Sequence, residues 1–573
     1  MKKYCLMAWQ MFMIIVIAAS QNPNVSLGFI NVDCGLSRYE SPYSELMTRL
    51  TYTTDADLVE SGESGRIDKI FETMYQRPYW TVRSFPRPKR NCFKINNEPK
   101  TKYLIRAKFL YGNYDGRNTV PSFDLYLGPN LWTMVEANNT IKEVIHHTAS
   151  QSSLQICLVN TGSGTPFINV LELRPLINPD AYTTPSGSLK MLFRWYLGNP
   201  EGDMIRYPSD VYDRYWYPPS QQKHLIPITT THEVYTKNDY NPPETVMATA
   251  ASPLDANANW TVEWIVEPPT TQCYPYLYFS ELQTLRANET REFTVLLDGA
   301  VFHSPISPRP FITTTLFDRL PTQCTDGKCV LQLKKTSTST LPPVLSAIEV
   351  YTVMDFPKVE TNEDDVTGIK DIQGTYELNK LNWQGDPCIP RQFLWEGLSC
   401  NHSDNSTGPT IITLDLSSSG LTGVIANAIK NLAHLQHLDL SNNSLSGGVP
   451  EFLADMSSLL VINLSSNNLS GSVPQSLAQK KGMKLNVEDN PLLICTTGTS
   501  CVNKQGKGGD CIKDIVVAVV VTSLALLIIS AVLLILFLYR YKRRPSVVEG
   551  PQSNMQELDA LPLPIGIYSE ISL

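Results

Sequence analysis

The sequence predicts a mostly β ectodomain of two β-sandwich lobes, then a short α/β solenoid, one transmembrane helix and a disordered tail. Three observations carry that expectation. Short β-type runs fill the chain from Leu27 to about Phe356, apolar pairs recur every 24 residues between 411 and 494, and residues 515–538 are apolar and uncharged. The 573 residues allow about three or four domains at roughly 150 residues each. With 42% apolar and 18% charged residues the chain is ordinary globular material able to bury sizeable cores. Its 47 basic and 55 acidic residues leave a net charge of -8, which offers no basic footprint and excludes nucleic acid as a partner.

Topology follows from the two apolar runs. The first comes after Lys2 and Lys3, spans Met11 to Ile17 and ends in Ala18, Ala19 and Ser20, the pattern of a cleaved secretory signal over residues 1–20. The second, at about 1.5 Å per residue, reaches roughly 36 Å and can cross a hydrocarbon core of about 30 Å. Arg540, Lys542, Arg543 and Arg544 follow it, but Lys504, Lys507 and Lys513 precede it, so the signal peptide rather than the charge bias sets the orientation. The expectation is a single-pass type I protein of the plasma membrane with its amino terminus outside.

Asn-x-Ser/Thr sequons begin at Asn24, Asn138, Asn259, Asn288, Asn401, Asn405, Asn442, Asn463 and Asn468, all on the amino-terminal side of the second run. That distribution agrees with a glycosylated outer surface. Removal of Cys5 with the signal leaves an odd number of cysteines, so at least one thiol is left over or pairs with another chain. Cys511 is the candidate, as an intermolecular partner or as a plain unpaired cysteine.

The β-rich region reads as two lobes, 27–180 and 189–356, jointed near the turn-rich stretch from Pro179 to Ser188. Its blocks include VDCG at Val32 to Gly35, FPRPKRNCF at Phe85 to Phe93, YLIRAKFLYGNYDG at Tyr103 to Gly116, FDLYLGPNLW at Phe123 to Trp132 and RYPSDVYDRYW at Arg206 to Trp216. Further blocks run from Tyr276 to Gly299 and from Leu341 to Phe356. In these blocks the chain resembles the malectin-like ectodomain of plant leucine-rich-repeat receptor-like kinases. Residues 357–400 end in NWQGDPCIPRQFLWEGLSC, which resembles the family's Gly-Asp-Pro-Cys linker and the disulfide-closed cap that opens its repeats. The resemblance implies that Cys388 pairs with Cys400, and that Cys495 and Cys501 close the far end within 495–514. A solenoid exposes an apolar end wherever stacking stops, so both ends need covers.

Leu414, Leu438 and Ile462 open units 24 residues apart, a period diagnostic of leucine-rich repeats. Leu416, Leu440 and Leu464 complete the inward pairs, and Leu421, Leu445 and Leu469 close the core. Asn443 and Asn467 fall where amide side chains bond the turning backbone and join coils. An imperfect fourth turn follows at Leu485 to Asn490. Ser419 stands where Asn is expected, and Ala426 where later units carry Pro450 and Pro474, which predicts a looser convex side in the first unit. Asp415, His437, Asp439, Val461 and Asn463 alternate with inward leucines and are expected on the concave face. A glycan on Asn463 would obstruct it.

No catalytic constellation emerges. The glycine-rich loop, strand lysine, His-Arg-Asp loop and Asp-Phe-Gly ligand of a kinase do not occur. His146 and His147 point to opposite faces of a strand, and His434 and His437 lack the Glu of a zinc protease. Gly162-Ser163-Gly164 reads as a hairpin loop rather than a dinucleotide site. Asp55 with Asp57 and Asp364 with Asp365 are read as solvated loop acids rather than a glycosidase pair. Neither enzyme activity, nor a cofactor, nor a metal is expected.

The function expected is that of a receptor-like protein lacking a kinase, which binds an extracellular glycan or peptide and acts with or against full-length receptor kinases and co-receptors. A carbohydrate-binding cell-wall tether and a truncated isoform of a receptor-like Ser/Thr kinase are the alternatives. Sugar stacking needs exposed aromatic rings on loops, for which Tyr111, Tyr114 and Trp132 are candidates, although most rings in so aromatic a sandwich are core. Family analogy favours a peptide or co-receptor. In the cytoplasmic segment, 539–573, the basic cluster would rest on anionic headgroups, and Tyr568 to Ile571 forms a Tyr-x-x-apolar sorting pattern. Tyr568→Ala is expected to lengthen surface residence in an uptake assay; unchanged uptake removes the sorting role.

Overall fold

The computed structural model describes residues 28–494, apart from 88, 137–138, 149–152, 183–186, 220–223, 256, 379, 381 and 402–407. The expected signal peptide 1–20, the expected membrane span 515–538, the expected tail with Tyr568 and Ile571, and Cys495, Cys501 and Cys511 lie outside the described residues, as do Asn24, Asn138 and Asn405. Among the described residues no helix is long and apolar enough to cross a membrane.

Strand propensity and alternation build a long sheet that crosses the expected joint. Its central order is Ile30–Asp33, Val170–Pro175, Lys102–Leu110, Asn139–His147, Ser188–Tyr196, Ala347–Met354 and Gln272–Phe279. The first four belong to the first lobe and the last three to the second. They join where Val144 pairs with Lys190 and Ile145 with Leu189, antiparallel. Each half packs on its own four-stranded sheet. In the first lobe that sheet is Arg90–Asn96, Ser153–Ser163, Ser122–Leu127 and Asn130–Val135, and in the second it is Trp260–Ile265, Lys328–Lys335, Phe293–Leu297 and Ala300–Ile306.

The period of two puts opposite chemistry on the two faces of the long sheet. From Lys102–Leu110, Ile105, Ala107 and Phe109 enter the first lobe's apolar core with Phe93, Phe123 and Ile156. Arg106 and Lys108 point the other way and are also buried. There the segment from Arg206 to Tyr217 lies over the sheet and supplies Arg206, Asp210, Asp213, Arg214, Tyr215 and Trp216 to the interior, only Tyr217 of its end remaining half-buried. Arg106 donates to Glu143 at 2.7 Å and Glu172 at 2.9 Å, Arg174 to Asp213 at 2.8 Å, and Arg206 to Asp213 at 2.8 Å. Arg194, from the second lobe, donates to Glu143 of the first at 2.8 Å and to Glu349 at 2.7 Å. Burial pushes the Lys108 ammonium down to about 7, although Glu172, 2.8 Å away, holds it up. The Tyr215 ring lies 3.7 Å from the Arg106 guanidinium and 4.5 Å from that of Arg206.

Disulfides join Cys92 to Cys157 across the paired strands of the first lobe, Cys324 to Cys329, and Cys388 to Cys400; Cys34 and Cys273 are buried thiols. The Cys388–Cys400 bridge is the one implied by the cap's resemblance.

The 24-residue units stack as parallel strands in which Leu414, Leu438, Ile462 and Leu485 are in register. Asn443 Nδ2 donates to Leu416 O and Leu440 O while its Oδ1 accepts from Ser419 N and Leu421 N. Asn467 repeats the pattern with Leu440 O and Leu445 N, and Asn490 with Leu464 O and Leu469 N. The expected looseness of the first unit is not found. A helix, Glu363–Thr375, capped by Asn362 through Asp364 N and Asp365 N, lies against it, and Ala426 N donates to Tyr376 Oη at 2.8 Å. Asp365 is not a solvated loop acid: it is buried and accepts from Ile411 N at 2.7 Å. Asp55 is likewise buried, paired with Arg83, while Asp57 is exposed against Arg38. Gly162 and Ser163 end the strand Ser153–Ser163 rather than forming a hairpin tip.

Arg106→Leu would leave Glu143 and Glu172 each short of one partner in a dry interior, and loss of one partner from such a network costs about 3–5 kcal/mol. Urea unfolding of the variant should show that drop. A change below about 1 kcal/mol, the level of an ordinary surface substitution or less, would contradict the network's role.

Candidate functional site

A binding surface needs side chains whose polar groups are not already consumed by the fold. It also needs exposed faces, and the three rings considered for sugar stacking lack them. Trp132 is 2% exposed in the first lobe's core and Tyr111 is 3% exposed, its hydroxyl donating to Asp115. Tyr114 is half-buried with its ring 5.5 Å from Phe167 and 5.6 Å from Tyr111. The cause is the core's demand for large apolar area, since the strands flanking these loops aim the rings inward.

The concave residues of the solenoid are where their alternation predicts. Asp415, Asp439, Asn463 and Asn486 form one row in register, and His437 and Val461 another. Asp415 and His437 are exposed; Asp439, Val461 and Asn463 are half-buried. Much of the row's hydrogen bonding turns back on the coil. Asp415 Oδ1 accepts from Ser417 N, Asp439 Oδ1 from Ser441 N, and Asp439 Oδ2 from Asn463 Nδ2 at 2.9 Å. Of the sequon asparagines that the structure describes, Asn259, Asn288, Asn401, Asn442 and Asn468 lie outside this concave row. An amide bearing a glycan keeps one N–H, so glycosylation of Asn463 is compatible with its bond to Asp439.

A cavity of about 390 Å³ in the second lobe is lined by Glu281, Arg291 and Phe311 among others. Its charges are spent internally, because Arg291 donates to Glu281 at 2.7 Å, to Pro342 O and to Gln283. A second cleft, of about 370 Å³, lies between the first lobe and the solenoid cap. The seam around it is fixed by Asn130, which donates to Lys358 O and accepts from Lys358 N, by Arg90, which donates to Asp386 O and Ile389 O, and by the Tyr126 ring 6.0 Å from Phe393. Asp386 organises the cap side, accepting from Thr361 N, Cys388 N and Ile389 N.

The malectin-like domain family model matches residues 32–353, more than half of the chain, and the leucine-rich-repeat model matches 409–469. The chain belongs to the malectin-like domain family and carries leucine-rich repeats. This malectin-like chain is 57% identical over 532 residues to the probable LRR receptor-like serine/threonine-protein kinase At1g51820 of Arabidopsis thaliana, covering 93% of itself and 59% of that protein. Against the probable LRR receptor-like kinase At1g51810 of the same plant it is 53% identical, covering 98% of itself and 64% of the relative. The chain thus spans about three-fifths of the length of these curated relatives. The solved ectodomain of ANX2 from Arabidopsis thaliana covers 57% of this chain and 97% of its own at 16% identity, with a TM-score of 0.49.

The cap helix and the seam cleft escaped sequence reading. An Asn362 cap followed by Glu363, Asp364 and Asp365 is a helix-start signal that could have revealed the first. The second depends on tertiary contact and has no local signal. Glycopeptide mass spectrometry of the chain expressed in plant cells is expected to find Asn463 occupied; a bare Asn463 would leave the concave row open as a binding face.

Proposed function

We propose that this malectin-like chain is a single-pass receptor-like protein of the plasma membrane that binds an extracellular ligand and acts with, or against, full-length receptor kinases. The observation that carries the reading is the welded ectodomain. Two lobes share one sheet and are cross-linked by Arg194 bridging Glu143 and Glu349, and the solenoid is tied to the first lobe through Arg90 and Asn130. A rigid body of this kind suits recognition, because little ordering entropy is lost on binding. The family membership and the printed names of the relatives support a receptor role. Their kinase activity is theirs, and partnership with such kinases is the reading offered here. A peptide ligand is favoured over a cell-wall glycan because Tyr111 and Trp132 present no open ring face. The test is co-expression of the tagged chain with the full-length kinase At1g51820 in plant cells. Co-purification and a change of at least twofold in the kinase's autophosphorylation are expected. Absence of both overturns the proposal.

A further inference from the structure

The cleft at the seam carries charge that the fold does not consume. Lys94 enters it from the strand Arg90–Asn96 of the first lobe and Lys370 from the helix Glu363–Thr375 of the solenoid cap. Neither is within ion-pair distance of a carboxylate among the described residues, and they stand close enough to repel each other directly. Burial first, and then the Lys94 ammonium, push Lys370 down to about 8. Two lysines thus face one another across a domain seam, an arrangement that an anion between them would relieve.

The carboxylates nearby, Glu60 and Asp386, pull the Lys370 ammonium the other way but form no ion pair with it among the described residues. Asp386 is saturated by Thr361, Cys388 and Ile389. Glu360, on the cap side, is pushed up to about 7 by burial and by the Asp386 carboxylate, so it is largely neutral at mildly acidic pH. Glu60 and Glu377, the acids that line the cleft, are exposed. Beneath Gly385, where a Cβ would come within 2.4 Å of the Arg90 guanidinium, Arg90 keeps Nε and Nη2 without a hydrogen-bond partner.

A second observation points to a ligand. Gln155, 9% exposed and part of the cleft wall, has a buried Oε1 with no donor. An unpaired buried acceptor is costly, and a ligand N–H or O–H would satisfy it. The aromatic residues of the wall decide whether a sugar or a peptide is the better source of such a donor. Trp383 and Trp395 stack on each other at 5.0 Å and are 3% and 2% exposed, with their indole N–H groups given to Glu396 O and Gln384 O. They leave no open ring face for a sugar to stack on, which favours an extended peptide bearing carboxylates and amide N–H groups.

We propose that this cleft binds an acidic peptide segment, its carboxylate held between Lys94 and Lys370 and a backbone N–H donated to Gln155 Oε1. The inference deepens the reading of the ectodomain as a ligand-binding module by naming a site and a ligand class. A peptide seated there touches the first lobe and the solenoid cap together.

The test uses the full chain purified in detergent and a fluorescein-labelled hexaglutamate peptide, read by fluorescence anisotropy. Hexaglutamate should bind and an equally labelled hexaglutamine should not. Lys94→Met with Lys370→Met should weaken binding at least tenfold, and Gln155→Leu several-fold, while Lys334→Met, an exposed lysine of the second lobe, changes nothing. Lys94→Gln alone, at an exposed position, keeps the site testable if the double variant fails to fold, and should still lower affinity severalfold. Absence of hexaglutamate binding, binding indifferent to Lys94→Gln, or equal competition by digalacturonate overturns the proposal. Because association with a receptor kinase is measured separately, loss of this site leaves the receptor reading standing, and the converse holds.

Discussion

The ectodomain depends on a buried ionic layer. Where the long sheet passes from the first lobe to the second, one face carries Arg106, Lys108, Glu143, Glu172, Arg174, Arg194 and Glu349, and the segment from Arg206 to Trp216 closes over them with Asp210, Asp213 and two more arginines. Removing so many charges from water is unfavourable unless each is paired and hydrogen-bonded. The geometry satisfies that condition. Glu143 takes Arg106 on one oxygen and Arg194 on the other, Glu349 takes Arg194, Tyr182, Tyr278 and Tyr351, and Asp213 takes Arg174 and Arg206. The arginines hold Glu143 and Glu349 below the usual carboxylate range against the opposing effect of burial, Glu349 to about 2. The layer holds more cations than carboxylates, and the one cation that burial drives towards neutrality is Lys108, the member without a planar fork to share between acids.

Such a layer adds little net stability over an apolar one but is intolerant of misalignment. An apolar interface between the lobes could slide, whereas Arg194 reaches Glu143 and Glu349 together only in one register. The same division of labour recurs in the solenoid. Leucines fill the coils, while Asn443, Asn467 and Asn490 each bind the backbone of two successive turns and so fix their spacing. Few coils can stand alone, and here the first is covered by the helix Glu363–Thr375, with Ile369 and Ile372 inserted into the repeat core.

Much of this was legible in the sequence, for identifiable reasons. The 24-residue period survives because every coil repeats one local environment, so Leu414, Leu438 and Ile462 announce their register without tertiary knowledge. The alternation of the concave row follows from the same geometry. The ionic layer was not legible. In YLIRAKFL the basic residues alternate with apolar ones, which is also the pattern of a sheet with one solvated face, and only the covering segment from Arg206 converts that face into interior. Tyr111 and Trp132 misled for the opposite reason, since a ring written near a turn looks available while the strand beside it turns the ring inward. Cys92 and Cys157 lie 65 residues apart and meet only because their strands pair.

Rigidity is therefore unevenly distributed. Between the lobes, backbone pairing and shared carboxylates leave no independent movement. Between the first lobe and the solenoid cap no sheet is shared among the described residues; the contacts include a reciprocal pair through Asn130, the Arg90 guanidinium on two carbonyls at 3.3 and 3.4 Å, and the Tyr126–Phe393 ring contact. A ligand changes a protein's arrangement only by binding two arrangements unequally. Among the described interfaces, the seam is the one held by side chains rather than by shared backbone pairing, and it is there that Lys94 and Lys370 face each other. A ligand seated there contacts the first lobe and the solenoid cap at once, whereas one on the fused sheet would meet the lobes alone.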